Sequence, residues 1–236
     1  MTEAFHKFPS TPHLVVLGEN TVRGDKVLSQ LERDDFLRRE LVVEEKVDGA
    51  NLGISFDAAG TLRVQNRGAY LDPPYFGQWK RLSEWLAYRT DLLINLLRDE
   101  YILFGEWCYA RHSVYYPRLP DWFLGFDVFD KTNEKFLSCP RRDALFRDLG
   151  ISGVPFIESG CFSIENLKGL LSKSRLGDEP AEGLYLRFDD GDWLQQRAKI
   201  VRPEFLQSIE EHWSRSGIKP NRLSQATTHG AHSRAS

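Results

Sequence analysis

The sequence predicts an α+β fold built on mainly antiparallel sheets. Strand-length runs rich in β-branched and aromatic residues recur from "LVVEEK" to "LQQRAKIVR". Two of the connections between such runs carry short, glycine-containing turn signals that make hairpins. The helical segments do not alternate with the strands as regular βαβ units, which argues against a parallel sheet.

Residues 41–46 (LVVEEK) read as the first strand. ANLGISFD (50–57) and TLRVQN (61–66) read as a hairpin across "AAG". Between 79 and 99 the period changes, and Leu82, Trp85, Leu86, Leu93, Leu96 and Leu97 fall on one helical face. YILFGEW (101–107) and WFLGFDVFD (122–130) return to strand character. PRRDALFRDLG (140–150) has proline early and glycine last, and SIENLKGLLSKS (163–174) opens on Ser163 as a helix cap. EGLYLRF (182–188) and LQQRAKIVR (194–202) flank the turn signal "DDGD", and PEFLQSIEEHW (203–213) closes as a helix with proline in its first turn. Beyond about residue 215 the chain is polar and nearly free of large apolar side chains, and residues 215–236 are expected to form a disordered tail.

With 236 residues, 41% hydrophobic and 12% aromatic, the chain is long enough for one large domain with a real core. A net charge of −3 predicts no general affinity for nucleic acid or membrane, so any nucleic acid must meet a local basic surface. The N-terminus lacks a signal-peptide pattern and no apolar run reaches a membrane span, so no membrane partner is expected. Cys108, Cys139 and Cys161 have no metal-like spacing and read as buried, reduced thiols, which suits a cytoplasmic protein.

The residues with chemical potential begin at Lys46-Val47-Asp48-Gly49, a lysine at a strand end before a tight turn. Alone, this is the common use of Asp-Gly in a turn. A lysine amine attacks an electrophile only when neutral, and its reference pKa of about 10.4 leaves roughly one molecule in a thousand ready at neutral pH. A neighbouring cation, a metal or desolvation would be needed to help it. Strand alternation puts Glu45 opposite Lys46 and leaves Glu44 cofacial with it. Further along, Arg67 sits beside a glycine, Glu106 lies inside an apolar strand, and Phe126 and Asp127 lie inside another. Phe126 alone would read as core, and Asp127 as structural or metal-directed in equal measure. Glu182 precedes a glycine at a strand start, and Arg197 and Lys199 point to one strand face, where something anionic would have to lie between them. "ARHSVYYPR" (110–118) suits single-stranded RNA by stacking and phosphate contact, and equally a solvated loop.

In order, Lys46-Val47-Asp48-Gly49, the Arg67 segment, Glu106, Phe126, Glu182 and Arg197-x-Lys199 resemble the motifs of the covalent nucleotidyltransferases: ATP-dependent RNA ligases, DNA ligases and mRNA capping enzymes. The strings KVDGANLGISF, FGEW and AEGLYLRF are most similar to the RNA ligase 2 branch, as is Asn51, where DNA ligases more often carry arginine. The resemblance implies an ATP-grasp-like nucleotidyltransferase domain over residues 1–214 and an ATP-dependent RNA ligase joining a 5′-phosphate to a 3′-hydroxyl. It implies that Lys46 carries AMP, that Glu45 and Asn51 belong to the nucleotide site with Glu45 reading adenine, that Glu106 holds ribose and that Phe126 stacks on the base. It further implies Arg67, Arg197 and Lys199 on phosphates or RNA, Arg197 and Lys199 as catalytic cations, and Mg²⁺ or Mn²⁺ held by Glu182, with Asp48 and Asp127 as further candidate ligands. RNA ends are the implied partners, a partner protein could supply end-healing or RNA binding, and the ligase itself is expected to be a monomer.

Two features depart from the pattern. Arginine stands at 197, where this branch more commonly has lysine, and it cannot serve as an acid. After Lys199 too little chain follows for an OB-fold, so none is expected. The alternatives are a DNA ligase, a GTP-using capping-type enzyme, or a catalytically idle nucleic-acid-binding relative.

Overall fold

The computed structural model describes residues 5–18, 26–208 and 218–224. Its strands are β1 (Leu41–Lys46), β2 (Ala50–Phe56), β3 (Leu62–Gln65), β4 (Tyr101–Trp107), β5 (Phe123–Asp130), β6 (Lys135–Phe136), β7 (Phe156–Gly160), β8 (Gly183–Asp190) and β9 (Trp193–Val201). The helices are α1 (Gln30–Leu37), α2 (Leu82–Ala87), α3 (Thr90–Leu97), α4 (Cys139–Leu149), α5 (Ile164–Leu170) and α6 (Pro203–Ser208). All named strand pairs are antiparallel, in two sheets ordered β7-β1-β8-β9 and β3-β2-β4-β5-β6. The α+β class therefore holds. No described helix is long and apolar enough to cross a membrane.

Each sheet has two different faces because side chains alternate along a strand. On the first sheet Leu41, Val43, Leu184, Leu186, Ala198 and Ile200 form an apolar face closed by Leu14, Phe36 of α1 and Leu167 of α5. Its other face carries the register-matched pairs Glu44–Tyr185, Val42–Arg187, Arg187–Arg197 and Tyr185–Lys199. On the second sheet Leu52, Ile54, Leu103, Trp107 and Phe123 meet α2 and α3, while Ile102, Phe104, Leu124, Phe126 and Phe129 form a second cluster with Phe8 and Val47.

Ion pairs join the polar face of the first sheet to the second. Asp127 of β5 pairs with Arg187 and with Arg197 (2.9 Å), and it accepts the Tyr185 hydroxyl at 3.0 Å. Arg142 of α4 grips both oxygens of Glu44, at 2.6 and 3.1 Å, and donates to the Phe126 carbonyl at 2.8 Å. A register shift opposite Phe104 and Gly105 leaves Phe126 as the extra residue of a β-bulge. Such a bulge re-aims side chains locally, and here both Phe126 and Asp127 meet groups on the first-sheet side.

The helical segment expected over 79–99 is two helices. The Thr90 hydroxyl and the Arg89 N–H both take the Leu86 carbonyl, each at 2.9 Å. That local side-chain bond competes with the helix ladder, and the break lets Leu82, Trp85, Leu93 and Leu97 all enter one core. Ser163 caps α5 through a reciprocal bond with Asn166. Gly150 ends α4 at φ 62°, a conformation suited to glycine. Of the closing helix expected over 203–213, α6 is seen as Pro203–Ser208, and residues 209–213 lie outside the described residues.

Two other expectations are corrected. Residues 218–224, placed by composition in a disordered tail, are ordered against the 109–119 loop, with Asn221 2% exposed. The rest of 215–236 lies outside the described residues. Cys108 and Cys139 are buried as expected, but Cys161 is exposed.

Candidate active site

The chain crosses from one sheet to the other at Lys46-Val47-Asp48-Gly49. Lys46 ends β1, and Asn51 lies one residue into β2. The crossing is tight: a β-carbon at Gly49 would lie 3.0 Å from the Trp107 carbonyl oxygen and 3.2 Å from Cys108 Sγ. Across β1 and β8, Lys46 is in register with Gly183, which brings Glu182 beside it. Lys46 Nζ donates to both oxygens of Glu182 at 2.7 Å.

Three carboxylates surround this ammonium. Burial alone would lower its pKa, but Glu182, Glu106 and Asp48 together hold it above the ordinary lysine range. In this state Lys46 is a charged, clamped side chain and not a free amine. Glu182 itself is raised, chiefly by burial, against the opposing pull of Lys46 and Lys199. Glu106 is pushed up to about 8, first by burial and then by Glu182 and Asp48, against Lys46 and Arg67. With its pKa at about 8, Glu106 is the acid of this group that holds a proton near neutrality.

Glu106 stands opposite Asn51 in the β2–β4 register. Glu106 Oε2 and Asn51 Oδ1 are buried and lack hydrogen-bond partners. Unpartnered polar atoms in this position are costly and fit a ligand that brings hydroxyl groups, which can both donate and accept. The raised pKa of Glu106 gives a stability prediction. Its folded value lies above the unfolded one of about 4.5, so its contribution is fully present below about pH 4.5 and is lost as pH rises through about 8. In thermal melts of the nucleotide-free protein, Glu106→Gln should match the parent at pH 4.5 and melt higher than it at pH 8. Equal midpoints at pH 8 would show that Glu106 carries no such burden.

The turn is held from a third side by the loop after β4. Asp48 Oδ2 accepts the N–H groups of Ser113 (2.6 Å) and Val114 (3.0 Å), and the Asp48 N–H donates to the Tyr116 hydroxyl at 2.8 Å. His112 Nδ1 lies 4.0 Å from Asp48 Oδ1, and its Nε2 meets Gln78 Oε1 at 3.0 Å. Asp48, expected as a metal ligand, is therefore the anchor of the 112–114 loop. Burial holds the His112 pKa below the ordinary histidine value, against the pull of Asp48.

Several other expected roles meet side chains already committed. Glu45, expected to read adenine, is 1% exposed, and its oxygens accept the Ser174 hydroxyl at 2.5 Å and the Arg175 N–H at 2.8 Å. Glu44, cofacial with Lys46 by alternation, is neutralised by Arg142. Asp127, expected as a metal ligand, is fully buried between Arg187, Arg197 and Tyr185. Arg197, expected on phosphates, pairs with Asp127 and lies over the Phe136 ring at 4.0 Å and the Phe8 ring at 5.0 Å. Its fork is held in the aromatic layer between the sheets. Phe126 is itself buried, meeting Phe8 edge-on at 5.1 Å. Lys199 is 9% exposed and close enough to Glu182 to lower its pKa. Arg67 is exposed, lifted by a turn in which Asn66 Oδ1 accepts the Gly68 and Ala69 N–H groups at 2.8 Å each. It acts electrostatically on Glu106. The structure thus gathers Lys46, Asp48, Glu106, Glu182 and Lys199 with Asn51 and Arg67 at the edge, while Glu45, Asp127 and Arg197 are each bonded to partners within the fold.

Tyr116 and His112 were not singled out as site residues by their spacing. The aromatic and imidazole mixture of residues 110–118 is the available signal, and it points equally to RNA contact and to a solvated loop, not to support of the lysine turn.

The model of the RNA ligase family matches residues 39–201, most of the chain and every residue from Lys46 to Lys199. The chain belongs to the RNA ligase family. Among solved structures it is similar to Naegleria gruberi RNA ligase. One variant of that protein, with ATP and Mn, gives a TM-score of 0.62 at 18% identity, covering 86% of this chain and 57% of that one. A second with ATP and Mn gives 0.59 at 18% identity over 74% and 53%, and a third with AMP and Mn gives 0.61 at 17% identity over 85% and 63%. At such identity the likeness concerns the fold, and the chain spans little more than half the length of the first of these matches. A search of curated protein sequences found no match.

Among the described residues of this RNA ligase family member, no three His, Cys, Asp or Glu side chains come together to hold a metal ion. With Asp48 and Asp127 committed, the described residues do not themselves form a cage for Mg²⁺ or Mn²⁺. Glu182 is the expected ligand that faces the lysine, and a divalent ion there would take most of its ligands from phosphate oxygens and water.

Proposed function

We propose that the protein is an ATP-dependent RNA ligase that joins a 5′-phosphate to a 3′-hydroxyl through AMP carried on Lys46. The observation that carries this reading is the ion pair of Lys46 with Glu182 at the crossing between the sheets, beside the unpartnered side-chain oxygens of Glu106 and Asn51. The family match and the similar structures with ATP or AMP support it.

In the proposed first step the Lys46 ammonium gives up a proton, with Glu182 the acceptor in contact with it. The freed amine attacks the α-phosphorus of ATP, a P–N bond forms, and the bond to the pyrophosphate oxygen breaks. Ribose hydroxyls would supply the hydrogen-bond partners that Glu106 Oε2 and Asn51 Oδ1 lack without them. Lys199 and Arg67 supply positive charge near the phosphates, where phosphoryl transfer is governed by positioning and charge neutralisation. AMP then passes to an RNA 5′-phosphate, and a 3′-hydroxyl displaces it.

Incubation with α-labelled ATP and Mg²⁺, followed by denaturation, tests the reading directly. The protein should retain label, and Lys46→Ala should retain none. Absence of label from ATP, or equal labelling of Lys46→Ala, would overturn the covalent mechanism. Label from α-labelled GTP in place of ATP would favour the capping-type alternative.

A further inference from the structure

We infer that Asn221, at the centre of the 218–224 strap, is a positioning residue for the lysine turn, acting through the loop that follows β4; the catalytic part of this inference rests on the function proposed above. The strap lies beyond the residues matched by the family model, so nothing in that match assigns it a role. Its composition marks it as tail, yet both its backbone and one side chain bond to the loop after β4.

Asn221 is 2% exposed and has every polar group of its side chain in use. Its Oδ1 accepts the Tyr116 N–H at 2.9 Å, and its Nδ2 donates to the carbonyls of Cys108 (2.8 Å) and Ala110 (3.3 Å). Its own N–H donates to the Tyr109 carbonyl at 2.9 Å. On either side the backbone continues the clamp. Arg111 N–H donates to Lys219, Arg222 N–H to Tyr116, Leu119 N–H to Arg222, and Ser224 N–H to Leu119, at 2.7 to 3.0 Å.

Two routes lead from this clamp to Lys46. Tyr116, fixed at its backbone by Asn221 and Arg222, accepts the Asp48 N–H with its hydroxyl, while its neighbours Ser113 and Val114 hold the Asp48 carboxylate. Cys108, fixed at its carbonyl, sets its thiol against Gly49 and follows Trp107, two residues after Glu106. Without the strap the Tyr109–Leu119 loop would lose bonds to seven of its backbone groups, and buried amides and carbonyls left unmet must rearrange. The turn that sets the direction of the Lys46 side chain would follow.

The test compares Asn221→Ala with Leu167→Ala, a core change on α5 at the far face of the first sheet, in the full chain well below both melting midpoints. Three quantities are read: the first-order rate of Lys46 labelling at saturating ATP, the KM for ATP, and amide exchange at Ser113 and Val114. Asn221→Ala should slow labelling by about 10²-fold, the scale of a small misplacement of a reacting group. The KM should move by less than about threefold, and exchange at both amides should quicken. Leu167→Ala should melt earlier but leave rate and exchange near those of the parent. A labelling rate within about threefold of the parent in Asn221→Ala, unchanged exchange at 113 and 114, or equal slowing in Leu167→Ala would each overturn the inference. If the parent itself takes no label, the proposed function fails, and the exchange measurement still decides whether the strap holds the turn.

Discussion

Lys46→Arg should take label from α-labelled ATP at least about 10³-fold more slowly than the parent, while its melting midpoint stays within a few degrees. The variant keeps the positive charge, and a guanidinium can still pair with Glu182, so the ion pair at the sheet crossing survives in kind. What is lost is the ability to become a nucleophile. Arginine does not deprotonate in proteins, and its delocalised lone pair does not attack phosphorus. The distinction matters because the resting Lys46 is itself held protonated by Glu182, Glu106 and Asp48. In the proposed mechanism activation would therefore come with the cations that accompany the nucleotide, since its phosphates alone, being anionic, would favour the ammonium further. A Lys46→Arg protein that still labels would mean that another group carries AMP. A Lys46→Arg protein that unfolds would mean that the pair with Glu182 is needed for folding beyond its charge.

The sequence showed the lysine but not its keeper. Alternation placed Glu44 on the Lys46 face, and Glu44 does lie there, yet Arg142, 98 residues away in the chain, neutralises it. The acid that clamps the lysine is Glu182, which spacing alone associates only with a glycine and a strand start. Cross-strand register brings it there, and register is not visible until the order of strands is known. The same limit explains Arg197. Its period-2 partnership with Lys199 is real, but beside the β5 bulge Asp127 pairs with both Arg197 and Arg187.

Strands and most helices were legible because their apolar periods survive in the core: Leu82, Trp85, Leu86, Leu93 and Leu97 all sit where one helical face would put them, although the helix is broken. The break is a local hydrogen-bond event at Thr90 and leaves no trace in hydrophobic pattern. The strap was illegible for a related reason. Its order comes from backbone bonds and one asparagine reaching a loop 105 residues upstream, with little apolar burial to announce it. Composition reports the hydrophobic part of stability and is blind to segments ordered by polar satisfaction.

Arg142→Met should destabilise the protein by about 3–5 kcal/mol, the cost of leaving one partner of a buried pair uncompensated. Glu44 and Arg142 are 2% and 5% exposed at the side chain, and both Glu44 oxygens depend on this one guanidinium. For a chain of this size that corresponds to a fall in melting midpoint of roughly 6–20 °C. Loss of the bond to the Phe126 carbonyl should add little, since Arg187 also donates to that oxygen at 3.2 Å. The informative comparison is with the double variant Glu44→Leu and Arg142→Met. Removing both charges replaces a desolvated pair with apolar contacts beside Phe146, over whose ring Arg142 now lies at 5.6 Å. The double variant should recover most of the lost stability, because the large penalty belongs to the orphaned charge and not to the pair's net attraction. Equilibrium unfolding in urea measures all three proteins on one scale. If the single variant loses less than about 1 kcal/mol, Glu44 has found water or a proton, and the layer between the sheets is wetter than its burial indicates. If the double variant is as unstable as the single, the pair holds the sheets together through geometry that apolar side chains cannot replace. In that case the placement of the lysine turn between the sheets rests on this buried charge as much as on the hydrophobic cores above and below it.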